Sequence, residues 1–157
     1  MGGLPTGNKV VRNNILFCNT HQIVTASGWI HAADGTITLA TNLSSMVFTI
    51  PIHGLKKDQK IKGFRIVGAL GATGGNATVV DADLRKVTKG AGAVTDASVG
   101  AIAQVSVTAD TALDAEKVGL DERVLDDFQY YVKVTGTTAI DAACDIAISG
   151  VEIDFDN

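Results

Sequence analysis

From Ile23 onward, apolar residues recur at every second position in short runs cut by Gly, Asn, Asp and Thr. That is the spacing of pleated strands that bury one face. Met46, Phe48, Ile50 and Ile52 form one such face; Phe64 and Ile66 are flanked by Lys62 and Arg65; Thr78, Val80, Ala82 and Leu84 alternate with Asp81, Asp83 and Arg85. Farther on, Val99, Ala101, Ala103, Val105 and Val107 alternate against Ser98, Gln104 and Ser106, and Phe128, Tyr130, Val132 and Val134 against Gln129, Tyr131, Lys133 and Thr135. The last run changes phase, from Ile146 and Ile148 to Val151, Ile153 and Phe155, and the change at Ser149-Gly150 predicts a β-bulge at Gly150 that restores one buried face. With weaker runs over residues 23–30 and 35–39 the pattern predicts an all-β, antiparallel β-sandwich of about eight strands. Residues 113–125 are the exception: they read as a short helix, interrupted by Gly119, or as a projecting loop.

Residues 1–22 differ in character from the rest of the chain. Gly2, Gly3, Pro5, Gly7, Asn8, Asn13, Asn14 and Asn19 surround the apolar groups Val10-Val11 and Ile15-Leu16-Phe17. So much Asn and Gly makes a poor interior strand, yet the apolar groups need cover. The chain therefore divides into an extended N-terminal arm, residues 1–22, and a β-sandwich domain, residues 23–157. The arm is expected to order along an exposed strand edge of an adjacent subunit or of another partner protein, with Ile15, Leu16 and Phe17 as partner-binding residues.

A composition of 46% hydrophobic against 19% charged residues is that of a globular chain. At this length folding buries roughly 68–70% of the extended surface, so a core forms without staples. The net charge of −4 argues against a nucleic-acid backbone as partner. No stretch is apolar enough to predict a membrane span and the first residues do not read as a signal peptide, although Gly2 and Thr6 formally match an acylation pattern. Cys18 and Cys144 have no metal or redox spacing and read as free thiols.

Residues with chemistry are scattered. His21, His31 and His53 stand singly, without metal-ligand spacing. Asp81 and Asp83 share a strand face, which suits paired carboxylates or calcium, but Arg85 continues that face and makes an ion-pair row the simpler reading. The acidic residues between Asp114 and Asp127 lack the order of a calcium loop. The glycines from Gly68 to Gly75 lack the Lys-Ser/Thr ending of a phosphate loop and read as a hairpin connection, Gly74-Gly75-Asn76 supplying positive φ angles. Trp29, between Gly28 and Ile30, is a core or interface aromatic and a candidate partner-binding residue. The expectation is no catalytic residue, no metal and no cofactor.

The segments 81–88, 96–102, 108–117, 130–135 and 148–153, in this order, resemble the small jelly-roll proteins encoded among tailed-phage structural genes, including capsid decoration or cement proteins. The likeness covers residues 45–155 and rests on strand-and-turn patterns, so it carries over no binding residue. It implies a non-enzymatic jelly-roll subunit, a homotrimer, made in the host cytoplasm and bound to the major capsid protein on the outside of the virion. The alternative is a phage head- or tail-fibre module that binds a host receptor or glycan through aromatics such as Trp29 and Tyr131. A jelly-roll enzyme of the cupin kind requires a His, His, Glu, His set, whereas all three histidines here precede residue 54, with no acidic residue interposed in G-x-H-x-H form.

Overall fold

The computed structural model describes residues 11–16, 28–89, 92–141 and 143–156. Phe17, Cys18, His21 and the 23–27 part of the first expected strand lie outside the described residues. The ten described strands are β1 (Val11–Leu16), β2 (Trp29–His31), β3 (Ile37–Leu39), β4 (Leu43–Pro51), β5 (Lys60–Gly71), β6 (Thr78–Thr88), β7 (Asp96–Val107), β8 (Thr111–Arg123), β9 (Phe128–Thr138) and β10 (Asp145–Asp156). One sheet runs β2-β3-β10-β5-β8, with β1 also paired to β10; the other runs β4-β9-β6-β7.

This order follows from one long ribbon folded on itself. Around the loop after β6, the antiparallel pairs are β6 with β7, β5 with β8, β4 with β9, and β3 with β10. Rolling that ribbon sends alternate strands to opposite sheets and gives a jelly roll. Between the sheets lie Phe48 and Ile50 of β4, Phe64 and Ile66 of β5, Val80 and Leu84 of β6, Val132 and Val134 of β9, and Ile146, Ile148 and Val151 of β10, all buried. The alternation in the sequence identifies most of this core.

Bulges keep the inner face apolar where the alternation slips. In β10, Ile148 faces Gly68 and Gly150 faces Val67, so Ser149 is the extra residue, as the phase change predicts. Its hydroxyl donates to the Val67 carbonyl at 3.1 Å. In β7 the expected inward set is corrected: Ala101 and Ala103 are exposed and Ile102 is buried. The pairs Val80 with Val105 and Ala82 with Ile102, then Leu84 with Gly100 and Arg85 with Ser98, leave extra residues in β7 at two places, and each reverses the phase.

Residues 113–125 are corrected more fully. They are neither helix nor projecting loop: most of them belong to β8, a thirteen-residue strand paired along β5. Gly119, with φ +75°, sits in a bulge where three residues of β8 oppose one of β5. Leu113 and Leu120 turn to one side, seven residues apart, a spacing that a helix also satisfies. The glycines at 74 and 75 do adopt positive φ, +62° and +80°, and Asn76 N donates to Thr73 O at 3.0 Å. The strands they join, β5 and β6, belong to different sheets, so the connection crosses the sandwich instead of closing a hairpin.

Val11–Leu16, within the sequence-defined arm, lies antiparallel along β10 of the same chain. Beside it, β3 pairs with the first half of β10, from Ile146 to Ile148. Together β1 and β3 cover one side of that long strand.

Gly136 in β9 is required by close packing. A Cβ there would lie 2.7 Å from Trp29 Cζ2, 2.8 Å from Leu39 Cδ2 and 2.9 Å from Ile146 Cδ1. Gly136→Ala is therefore expected to destabilise the fold by about 1–3 kcal/mol, the usual range for overpacking. Thermal unfolding checks this; an unchanged or raised melting temperature would show that the core yields there.

Candidate functional site

The outer faces of the two sheets are partitioned by charge. On the first sheet Arg65 of β5 lies in register between Glu116 of β8 and Glu152 of β10. Its guanidinium donates to both carboxylate oxygens of Asp114 and lies 3.6 Å from Glu152. Nearby, Asp121 accepts from Lys62 at 2.6 Å and Lys60 at 2.9 Å. These two ammonium groups, Lys62 foremost, hold the Asp121 carboxyl below its ordinary range. The acidic residues of β8 thus serve a cross-strand ion-pair network.

On the second sheet Arg85 of β6 lies 3.0 Å from Asp96 and also pairs with Asp83. Tyr131 donates to Asp96 at 2.9 Å, and Ser98 donates to Asp83. Hydrogen bonds from Arg85 and then Tyr131 lower the Asp96 carboxyl below its ordinary range. Asp83 and Arg85 therefore form the expected ion-pair row, while Asp81 has no such bond among the described residues. No group of three or more His, Cys, Asp or Glu residues placed to hold a metal occurs among the described residues.

Beside this network a row of uncharged residues crosses the first sheet's outer face. Ile30 faces Thr38, Thr38 faces Ala147, Ala147 faces Ala69 and Ala69 faces Ala112. This row crosses five strands. Ile30 is 58% exposed, Ala69 and Ala112 are exposed, and Thr38 and Ala147 are half-buried. Over Ala69 and Ala112 lies an open concavity of about 630 Å³, with Asp110 and Asp145 as its charged lining residues. Ile140, 76% exposed, stands on the β9–β10 connection. The sequence does not reveal this band, because its members are brought together only by strand register.

Of the residues singled out as partner-binding, Ile15 and Leu16 are in β1, and Phe17 lies outside the described residues. Trp29 takes the core role: it is 3% exposed and packs edge-on against Phe48, ring centroids 4.6 Å apart. Burial withholds its ring from a partner. Its indole N–H finds no acceptor among the described residues, which carries a desolvation cost of about 1–3 kcal/mol. Trp29 is the chain's one tryptophan, so its emission should be blue-shifted and protected from iodide quenching until the protein unfolds. Strong quenching of the native protein would place the ring at the surface.

A second polar group joins the sheets. Glu122 of β8 accepts from Lys86 of β6 at 2.8 Å and from the Tyr130 hydroxyl of β9 at 3.0 Å. Burial, followed by the hydrogen bond to Glu122, pushes the Tyr130 phenol up to about 12. Because the folded-state value lies above the unfolded one, the associated stability is present below about pH 10 and lost as pH rises toward 12. Alkaline titration of tyrosinate absorbance should show a late-ionising phenol that Tyr130→Phe removes. Ionisation of both tyrosines at the ordinary value would refute the buried bond.

No protein-family model matches the chain, and no curated protein matches it. Among solved structures it is similar to the Clostridium thermocellum N-terminal endo-1,4-β-D-xylanase 10B, CBM22-1 and GH10 modules, complexed with xylohexaose. The identity is 12% and the TM-score 0.46, over 87% of this chain and 28% of that one. The chain thus spans little more than a quarter of that protein's length, and a likeness at this level assigns neither ligand nor activity.

Proposed function

We propose that the chain is a non-enzymatic virion structural protein that decorates and stabilises a phage capsid, acting as a homotrimer on the major capsid protein. The observation that carries this reading is the uncharged band from Ile30 to Ala112. Covering an ion pair with another protein removes charges from water at a cost that their attraction often fails to repay. Covering Ala, Thr and Ile costs little and is favoured by the apolar area removed. The half of the sheet that bears Arg65, Lys62, Asp114 and Asp121 is suited to solvent, and the half that bears Ala69, Ala112 and Ala147 is suited to a protein surface. The jelly-roll wrap agrees with the sequence resemblance to small capsid decoration proteins.

Decoration stabilises a shell by mass action, because a subunit that binds only the assembled lattice shifts its equilibrium by RT ln(1 + [L]/Kd) per site. Modest contacts repeated over a symmetric shell then add up. Full-length protein mixed with undecorated phage shells should sediment with them. Ala69→Lys, at an exposed position beside Asp110 and Asp145, should lower the bound fraction at least tenfold, a loss of about 1.4 kcal/mol or more, with an unchanged melting temperature. Failure of the unaltered protein to sediment would overturn the reading; unchanged binding of the variant would remove the band as the contact face.

A further inference from the structure

Positive charge is unevenly spread along this chain. Lys and Arg are absent from residues 13–55, 66–84, 90–116 and 134–157. The connections over residues 40–42, 72–77, 108–110 and 139–144, which lie together at one end of the sandwich, therefore carry no Lys or Arg. Their acids, with the first residue of β10, are Asp110, Asp141 and Asp145. Two of these converge on one point. Asp145 lies opposite Gly71 of β5, and a Cβ on Gly71 would overlap Asp145 Oδ1. From the other side, Asp110 Oδ1 accepts from Ala72 N at 3.1 Å. Gly71 is thus a notch between two carboxylates, and both aspartates line the open concavity over Ala69 and Ala112.

Both aspartates are exposed, and neither has an ion pair among the described residues. The nearest cation along β5 is Arg65, roughly 20 Å from Gly71 in an extended strand, and it is engaged by Asp114 and Glu152. At physiological salt a charge is screened beyond about 8 Å. Two carboxylates left in this way repel each other and gain from a cation brought between them. A metal ion fits poorly, because calcium takes about six to eight oxygens and no three acidic side chains are placed to hold a metal among the described residues. The notch is open and runs into the uncharged band, which suits the surface of another protein better than an enclosed small ligand. A guanidinium is planar, carries several donors and sheds water more readily than an ammonium; its methylene stem can lie on alanine methyls. We propose that the Gly71 notch receives an arginine side chain of the protein that covers the band, its guanidinium between Asp110 and Asp145 and its stem on Ala69 and Ala112. This rests on the reading of the band as a contact face and specifies the chemistry of the partner.

The test is titration of the full-length protein, followed by backbone-amide NMR at low salt, with the blocked tripeptide Ala-Arg-Ala, with its lysine and citrulline counterparts, and with calcium chloride alone. The arginine peptide should bind with a Kd on the order of 10 mM or below, shifting residues 69–72, 110–112 and 145. The citrulline peptide, which keeps the shape and loses the charge, should bind at least fivefold more weakly, and the lysine peptide about threefold. Asp145→Asn and Asp110→Asn, at exposed positions, should each weaken the arginine peptide about fivefold with an unchanged melting temperature. Because no shell is present, the titration judges the notch whether or not the protein sediments with shells. Equal binding of the arginine and citrulline peptides, shifts confined to other regions, or binding unaltered in both variants would overturn the assignment. So would shifts at these residues produced by calcium and not by the arginine peptide, which would make the notch a metal site.

Discussion

A pleated strand offers the core every second residue, and in this chain two sheets are held together only as far as that rule is kept. Long strands break it, because a single slip of one residue would turn the remaining apolar side chains to solvent and bring their neighbours inside. The answer is the same in several places. Ser149 in β10, the extra residues of β7 and the Gly119 segment of β8 each absorb a slip in the alternation. In β4 the pair Ser44-Ser45 faces one residue of β9, with Ser45 at φ +54° and its N–H donating to the Thr137 hydroxyl. Without these local irregularities the continuous inner layer from Phe48 to Val151 would not exist.

Where the irregularity carries a chemical mark, it can be read in the sequence. Ser149-Gly150 is legible because a small polar residue and a glycine stand at the point where strongly apolar positions change phase. In β7 the residues on both faces are small, and alanine is tolerated inside and outside alike, so Ala101 and Ala103 mislead while Ile102 is overlooked. In β8 the outer face is acidic and Gly119 looks like a break, which conceals a strand whose carboxylates are matched by Lys60, Lys62 and Arg65 on β5. Those partners lie dozens of residues away, and only the register of β5 against β8 brings them opposite. The uncharged band is hidden for the same reason, since none of its five members is distinctive alone.

Trp29 shows how little exposure can be judged from local context. Its neighbours Gly28 and Ile30 give a surface-like setting, and Ile30 is in fact exposed. The alternation nevertheless turns the indole inward over Gly136, more than a hundred residues later in the chain, where the absence of a side chain leaves room for the ring. Bulk on one strand is matched by its absence on another. The pairing is a property of the folded sandwich and has no local signature.

The nested ribbon has a consequence for how the molecule reaches its native state. The β6–β7 pair closes a short loop, while each successive pair, β5–β8, β4–β9 and β3–β10, spans a longer stretch of chain. Loop-closure entropy grows with that length, and contacts distant in sequence slow folding. Once the inner pair is formed, however, each outer pair closes only the extra residues beyond the last one. The search is thereby reduced to a sequence of short closures, zipping outward from the β6–β7 loop, and the strand that completes the first sheet, β10, is also the last of these strands to leave a ribosome.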